Sequence, residues 1–414
     1  MSLSTQPYKG ARDFYPEDKR LQKYMFGKIR QVVESFGYQE YDAPLIELFE
    51  IYAAKSGEEI VNDQLYSFED RGGRKVAIRP EMTPSVSRMV AARRQELAYP
   101  LRLYSIPNLW RYERPQHGRL REHWQLNVDI FGIEGLAADA EIIQVADAIL
   151  KGLGAHQDMY EVHINSRQHL NQQLDSLDLN DQQRHACLKL LDKQTKIDPA
   201  EFQSLFNELL GEQKAGQLLA LLNSHEPPPK ASELLKMLES SGVTSARYDS
   251  GVVRGLEYYT DIVFEVFDTD PQNSRSMFGG GRYDGLVGQF GVAPVATVGF
   301  GMGDVTLQNF IEVHGLLPKL SPETDVVAII IGDVYEKAQP ILKQLRDAGV
   351  NVAVDSGDRK IDAQIKNAAK SGVRHALFIG QQELDSNQYK LRDLEKGEEE
   401  QLGLEQIAEK LKSE

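Results

Sequence analysis

A single cysteine, Cys187, in 414 residues leaves no partner for an intramolecular disulfide and fits a reducing compartment. It is expected on a helix, filling space as a small apolar residue. No apolar run approaches the roughly eighteen residues that cross a bilayer. The opening string MSLSTQPYKGARDFYPEDKR has no apolar stretch of the kind a signal peptide needs. The expectation is a soluble, cytoplasmic protein with no membrane partner. Positive charge is also scarce: Lys and Arg total 47 against 62 Asp and Glu, a formal net charge of −15. Generic nucleic-acid binders draw their affinity from neutralising phosphates, so this balance weighs against one while leaving room for a local basic surface. The spacing of His, Cys and Asp suggests no dedicated cluster, so no tightly bound, protein-ligated metal is expected. Neither glycine cluster reads GxGxxG after a strand, which argues against a dinucleotide-binding dehydrogenase.

What is present is a chain long enough for two or three domains, with 41% hydrophobic and 26% charged residues. Pro16 and the spacing of Leu21, Tyr24, Met25, Ile29, Val32, Val33 and Phe36 predict a helix ending before Gly37. Residues 37–47 (GYQEYDAPLIE) read as an extended strand with Pro44 near an edge or interface. Further strands are expected over 75–79, 101–110 and 160–164, with a helix over 138–153. From about 166 to 222 strand signals vanish and polar helical text takes over until Pro227, Pro228 and Pro229 break it. A helical insertion within a sheet domain is the economical reading. After the linker at 315–324, strand, helix, strand, helix and strand alternate to residue 379. That order predicts a small α/β domain with a mainly parallel sheet.

The strings that could carry chemistry cluster in five places. VVRGLEYYTDIVFE (252–265) sets Arg254 ahead of an acid and paired tyrosines, and runs into a predicted strand over 262–267. MFGGGRYDGL (277–286) follows, its glycine triplet reading as a tight turn. Either string alone fits an ordinary hairpin with solvated side chains as well as a platform for a small polar ligand. IRPEMTPSVSRM (78–89) places Glu81 and Thr83 after a strand. LWRYERPQHGRLREHWQLNVDIFG (109–132) enters an arginine-rich loop and returns as a strand. There Arg111, Glu113, Arg114, Arg119 and Arg121 either form solvated surface pairs or offer guanidinium forks to phosphates and bases. Within the returning strand Gln125, Asn127 and Asp129 share one face, toward solvent or toward a site. VGFGMGDVTL (298–307) suits a strand-to-helix junction where backbone meets ligand closely.

Taken together, the strings at 254–259 and 279–285 closely resemble the two histidine-specific signatures of the histidyl-tRNA synthetases. The first reproduces an Arg-Gly-Leu-acid-Tyr-Tyr run, the second a glycine triplet followed by Arg-Tyr-Asp-Gly. Pro44 and its strand resemble class II motif 1, residues 109–132 motif 2, and residues 298–307 motif 3. The resemblance implies an α+β fold: an antiparallel class II catalytic sheet flanked by helices over 1–320, a helical insertion at about 167–240, and an anticodon-binding α/β domain over 321–414. It implies a homodimer, with histidine, ATP and tRNA(His) as substrates and Mg2+ accompanying ATP.

By the same resemblance, Arg111 and Arg254 grip the α-phosphate of ATP, and Glu113 and Arg119 help seat the nucleotide. Glu81, Thr83 and Gln125 meet the amino group of histidine, Asp129 and Tyr259 its imidazole, and Tyr283 completes the pocket. The family's motif 3 ends Gly-x-Glu-Arg, but here Gly303 is followed by Asp304, Val305 and Thr306, so the adenine-stacking arginine is missing. His123-Trp124 stands where the family commonly has Phe-His, and Trp124 is expected in the core. The rival reading is a non-catalytic paralogue serving as regulatory subunit of ATP phosphoribosyltransferase. Such subunits lack the terminal domain and parts of the signatures, whereas this chain keeps Arg254, Tyr259, Glu81 and that domain. A basic face on the helix near 360–370, with Lys360, Lys366 and Lys370, reads on its own more readily as a solvated face; the resemblance to an anticodon-binding domain turns the expectation to RNA contact.

Overall fold

The computed structural model describes residues 3–53, 60–191, 197–222, 226–254, 258–357 and 359–413. Residues 255–257 of the first signature string therefore lie outside the described residues. The chain divides into two compact units, Met1–Asp13 with Tyr24–Leu317 and Phe14–Lys23 with Pro318–Glu414.

The opening helix is α1 (Pro16–Ser35), which buries Met25, Ile29 and Val33. Residues 37–47 do not form one strand. They give β1 (Gln39–Glu40) and β2 (Ile46–Leu48), which belong to different sheets. Side chains replace the ladder between them: Asp42 accepts from Ala43 N at 2.7 Å and from Arg79 Nη1 at 2.8 Å, and Pro44 has no N–H to give. After α2 (Phe49–Ala53), β3 (Ser67–Glu69) and β4 (Lys75–Ile78) complete a three-stranded antiparallel sheet in the order β2-β4-β3. Helix α3 (Thr83–Ala92) follows. The expected strand over 101–110 breaks at Pro107 into β5 (Leu101–Ser105) and β6 (Asn108–Trp110), with β7 (Glu122–Phe131) returning from the arginine-rich loop. Helix α4 (Leu136–Gly152) and β8 (Tyr160–Ser166) come next.

The helical insertion comprises α5 (Arg167–Asp175), α6 (Asp181–Leu191), α7 (Pro199–Leu210) and α8 (Glu212–Leu222). Cys187 is buried on α6, in the insertion's own core with Leu170, Leu174, Phe202, Phe206 and Leu218. Helix α9 (Pro229–Ser240) starts at the proline run. Then β9 (Ala246–Tyr248), β10 (Ile262–Asp268), β11 (Ser276–Arg282), β12 (Thr297–Gly303) and α10 (Asp304–Val313) close the unit.

Among the described residues the large sheet has nine strands in the order β1-β5-β7-β12-β11-β10-β8-β9, with β6 on β7; only β1–β5 and β8–β9 pair in parallel. Paired residues in a ladder point to the same side of the sheet. One side therefore carries Leu126, Val128, Ile130, Val298, Phe300, Phe264, Val266, Val162 and Ile164, all buried. Helix α4 covers that side, joined to it by Arg282 Nη2 on Asp139 at 2.6 Å and the Tyr160 hydroxyl on Asp147 at 2.6 Å. The opposite side carries Gln125, Asn127, Asp129, Glu265, His163 and Asn165.

The glycine triplet is not a turn. Gly279, Gly280 and Gly281 lie inside β11, paired with β10 on one side and β12 on the other. None of the three has a positive φ. Glycine serves here because a Cβ would strike neighbouring atoms: Arg254 Nη1 and Phe264 O at Gly279, Gly299 O at Gly280, Ile262 O and the Tyr259 ring at Gly281.

The second unit contains β13 (Val326–Ile330), α11 (Tyr335–Asp347), β14 (Val352–Asp355), α12 (Ile361–Lys370) and β15 (His375–Ile379) as the alternation predicts. Helix α13 (Gln381–Ser386), β16 (Tyr389–Asp393), β17 (Glu399–Leu402) and α14 (Leu404–Ser413) extend it. The order is β14-β13-β15-β16-β17, with two parallel and two antiparallel pairings, so the sheet is mixed rather than mainly parallel.

Candidate active site

The polar side of the large sheet has a floor of glycines. Gly279 and Gly281 on β11 face Gly301 and Gly299 on β12, and all four point to the same side as Gln125, Asn127 and Asp129. Side chains from neighbouring segments lie where their Cβ atoms would be. Arg254 sits over Gly279, Tyr259 over Gly281, Asp129 over Gly299 and Gln125 over Gly301. The spaced glycines of both strings thus let arginine, tyrosine, carboxylate and amide settle onto bare backbone.

Five proposed site residues, Glu81, Asp129, Arg254, Tyr259 and Tyr283, are linked by contacts that run through Tyr258. Tyr283 donates its hydroxyl to Asp129 Oδ1, and Tyr258 donates to Glu81 Oε2 at 3.2 Å. The Tyr258 ring lies 4.9 Å from Tyr259 and 5.5 Å from Tyr283, centroid to centroid. Arg254 stands 5.6 Å over the Tyr259 ring, and its Nη1 donates to Glu265 Oε1 at 3.3 Å. Thr83 begins α3 beside Tyr258. Gln125 Nε2 donates to Asn127 Oδ1 at 2.8 Å. Arg111 Nε donates to Pro80 O at 2.9 Å, which sets it next to Glu81. Glu113 and Arg119 form the loop's own ion pair, 3.6 Å apart.

Burial sets the electrostatics. Asp129 has its carboxyl pushed up to about 7 by desolvation, only partly relieved by the Tyr283 hydroxyl. The Tyr258 and Tyr283 phenols are raised well above their usual range by burial and then by Glu81 and Asp129 respectively. Burial works against the Arg254 charge, but Tyr259 and Glu265 outweigh it and the guanidinium stays above its ordinary value. His123 is pulled down to about 3 by burial, then by Arg111 and Arg12. A pocket with two buried carboxyls and three tyrosines, next to arginines, can hold a small zwitterion with a polar ring. The arginines can receive a phosphoryl group beside it.

Sequence reasoning missed two participants. Tyr258, one place before the proposed Tyr259, holds Glu81; both tyrosines were visible, but not which one bonds. Arg12 donates to Asp304 Oδ2 at 2.6 Å and lies 6.0 Å from the Trp124 ring, and no spacing in its own string announces it. Trp124 itself is half-buried, not core, because it stands at the rim of β7 beside that guanidinium. Thr306, where the family has arginine, donates its hydroxyl to Met277 O at 2.8 Å and ties α10 to β11.

An antiparallel sheet with a glycine-floored polar face, entered by an arginine-rich loop, is the architecture of the class II aminoacyl-tRNA synthetases. The solved histidyl-tRNA synthetase from Nostoc sp. PCC 7120 has this fold, with a TM-score of 0.82 at 22% identity and full coverage of both chains. A Bacillus halodurans structure described as an ATP phosphoribosyltransferase regulatory subunit/histidyl-tRNA synthetase scores 0.75 at 23% identity, over 92% of this chain and 99% of its own. The family model "Histidyl-tRNA synthetase" matches residues 10–304, and "Anticodon binding domain" matches 325–414. Histidine–tRNA ligase from Leptospira biflexa is 43% identical over 95% of this chain and 94% of its own length. That of Thermoplasma volcanium is 37% identical, over 96% of each. The chain belongs to the histidyl-tRNA synthetase family.

Proposed function

We infer that this chain attaches histidine to tRNA at the expense of ATP, an aminoacyl-tRNA ligase activity of protein biosynthesis. The observation that carries the reading is the glycine-floored pocket, where Glu81, Asp129 and three tyrosines adjoin Arg254, in a chain that matches histidine–tRNA ligases along nearly its whole length. No protein nucleophile is required. A histidine carboxylate oxygen attacks the α-phosphorus of ATP and pyrophosphate leaves. A ribose hydroxyl at the tRNA end then attacks the adenylate carbonyl and AMP leaves. The protein contributes position and charge.

The residue roles are proposals. Arg111 and Arg254 hold the α-phosphate, and Glu113 and Arg119 seat ATP. Glu81, Thr83 and Gln125 receive the amino group. Asp129 and Tyr259 take the imidazole, with Tyr283 fixing Asp129 from behind. Magnesium is proposed to enter with ATP as counter-ion to its phosphates. The proposed division is a catalytic region over 1–320, with its insertion at about 167–240, and an anticodon-binding region over 321–414.

A homodimer is proposed on the exposed apolar residues Leu45, Ile46, Leu48 and Phe68 on and beside the small β2-β4-β3 sheet. Among the described residues no helix is long and apolar enough to cross a membrane; the cytoplasm is the proposed location. The regulatory-subunit alternative is not favoured, since the full-length relatives are ligases and residues 325–414 match an anticodon-binding domain.

Histidine-dependent exchange of pyrophosphate into ATP by the pure protein tests the reading. Exchange that requires histidine supports it; a protein that binds histidine without exchange would return it to the regulatory class.

A further inference from the structure

Arg254 has a backbone of its own kind. Its φ of 52° lies in the left-handed region, which residues other than glycine rarely enter. Only two other described non-glycine residues share it, Asp178 and Asn387. Something must hold Arg254 there, and the structure shows what does.

Two side chains at the junction of β8 and α5 bind four carbonyls of the segment 250–254. Asn165 Nδ2 donates to Ser250 O and to Val252 O, both at 3.0 Å. Arg167 Nη1 donates to Val253 O at 2.9 Å and to Arg254 O at 3.0 Å. Both side chains are themselves buried, 3% and 9% exposed, and the bonds to Val252 O and Val253 O are fully buried, where a lost partner is costly. Packing reinforces the grip from two sides. Val252 belongs to the pocket's apolar cluster with Tyr258, Tyr259 and Tyr283, while Val253 belongs to the core of the helical insertion. Arg167 is also the first residue of α5, where that insertion begins. Consecutive residues 252, 253 and 254 are thus assigned to the pocket, the insertion and the reacting centre in turn.

We propose that Asn165 and Arg167 are positioning residues for Arg254, and that through them and Val253 the helical insertion holds the Arg254 guanidinium over Gly279 at the phosphate side of the site. This rests on the reading of Arg254 as an α-phosphate ligand. Neither side chain needs to touch substrate. Their effect is on the placement of a charge that acts in the transition state, where a displacement of about 1 Å costs on the order of 10²-fold in rate.

The test is histidine-dependent ATP–pyrophosphate exchange by Asn165→Ala, Arg167→Ala, Arg254→Ala and the two doubles with Arg254→Ala, with histidine binding followed by calorimetry. The expected result is a fall in kcat of about 10- to 100-fold for each single clamp variant, with histidine affinity within about two-fold of wild type. Little further loss is expected when either is added to Arg254→Ala, since residues acting as one unit are not additive. Should Arg167→Ala not fold, Arg167→Lys carries the same test, because it keeps the charge but not the reach to both carbonyls. Losses that multiply in the doubles, an unchanged kcat, or a loss confined to histidine affinity overturn the clamp while leaving Arg254 in its role. Normal exchange by Arg254→Ala overturns that role and the clamp with it.

Discussion

Asp129 concentrates the tension between stability and recognition in one side chain. Its carboxyl, buried beneath Tyr283, titrates near 7, against 3.8 for an ordinary aspartate. The native state therefore holds a proton that the unfolded chain has released between about pH 4 and 7. Stability contributed by this group falls as pH rises through that window and levels off above it. At roughly 1.4 kcal/mol per pH unit, the ionised carboxylate costs the fold on the order of 4 kcal/mol at pH 8. The ionised form accepts freely at both oxygens, which is what the proposed contact with a histidine N–H needs when Tyr283 already occupies one. Asp129→Asn is expected to melt higher than wild type at pH 8 and close to it at pH 5. Its histidine KM should rise about 10- to 100-fold, the loss of one or two charge-assisted bonds. The wild-type KM should improve as pH rises through about 7, and that part of the profile should vanish in the variant. Thermal melts and exchange kinetics across pH check both halves; a wild type no less stable than the variant at pH 8 would remove the buried charge from the argument.

At the scale of elements, α12 tests whether a sequence pattern reads as a surface. Gln364 and Ala368 face inward, which turns Lys366 and Lys370 outward, both exposed. Arg359 and Arg374, which flank the helix, are bonded to Asp355 at 2.9 Å and Asp393 at 3.1 Å. The outward lysines are the ones proposed to meet phosphate. Lys366→Glu with Lys370→Glu should weaken tRNA binding and lower the slope of log Kd against log salt by about 1 to 2. An unchanged slope in filter binding would make α12 a solvated face. Elements whose side chains alternate by period were legible beforehand: β7 with Gln125, Asn127 and Asp129 on one side, and the helices of the insertion. The glycine triplet was misread because a glycine written for a turn and one written for close backbone approach are the same letter. Only the partners across β10 and β12 tell them apart. The hairpin β16–β17 was missed because β17 is charged and mostly exposed, and the alternation in β16, where Tyr389 and Leu391 are buried on either side of exposed Lys390, is too short to stand out. Asn165 and Arg167 gave no signal either: their partners lie some eighty-five residues away in sequence, as in Asn165 to Ser250, and only the fold closes that loop.

For the whole molecule the questions are how copies associate and how the two regions share the work. Leu45, Ile46, Leu48 and Phe68 place an apolar surface on and beside a small sheet. Leu48→Glu is therefore expected to shift light scattering from the mass of two chains to that of one; a dimer that survives it would move the interface elsewhere. The apolar cores of the C-terminal region, one around Val326, Leu342 and Leu377 and one around Ile329 and Phe378, draw all their members from residues 326–411. Among the described residues, removing 325–414 takes no buried side chain from the core of α5–α8 or from the cluster around Tyr258 and Tyr283. The pocket, its glycine floor and the Arg254 clamp are all built from residues before 305. Activation of histidine is proposed to need only residues of that region, whereas charging also needs the RNA to be held, and single-stranded bases are bound by stacking and edge contacts that a chain of net charge −15 must supply locally. The truncated protein is expected to keep pyrophosphate exchange within about three-fold of the full chain, a difference of well under 1 kcal/mol. Its kcat/KM for tRNA should fall by about 100-fold, the worth of one or two lost base contacts at 1–3 kcal/mol each. Equal losses in exchange and charging would show that the terminal region supports the pocket rather than the RNA, and undiminished charging would place RNA recognition within the first 324 residues.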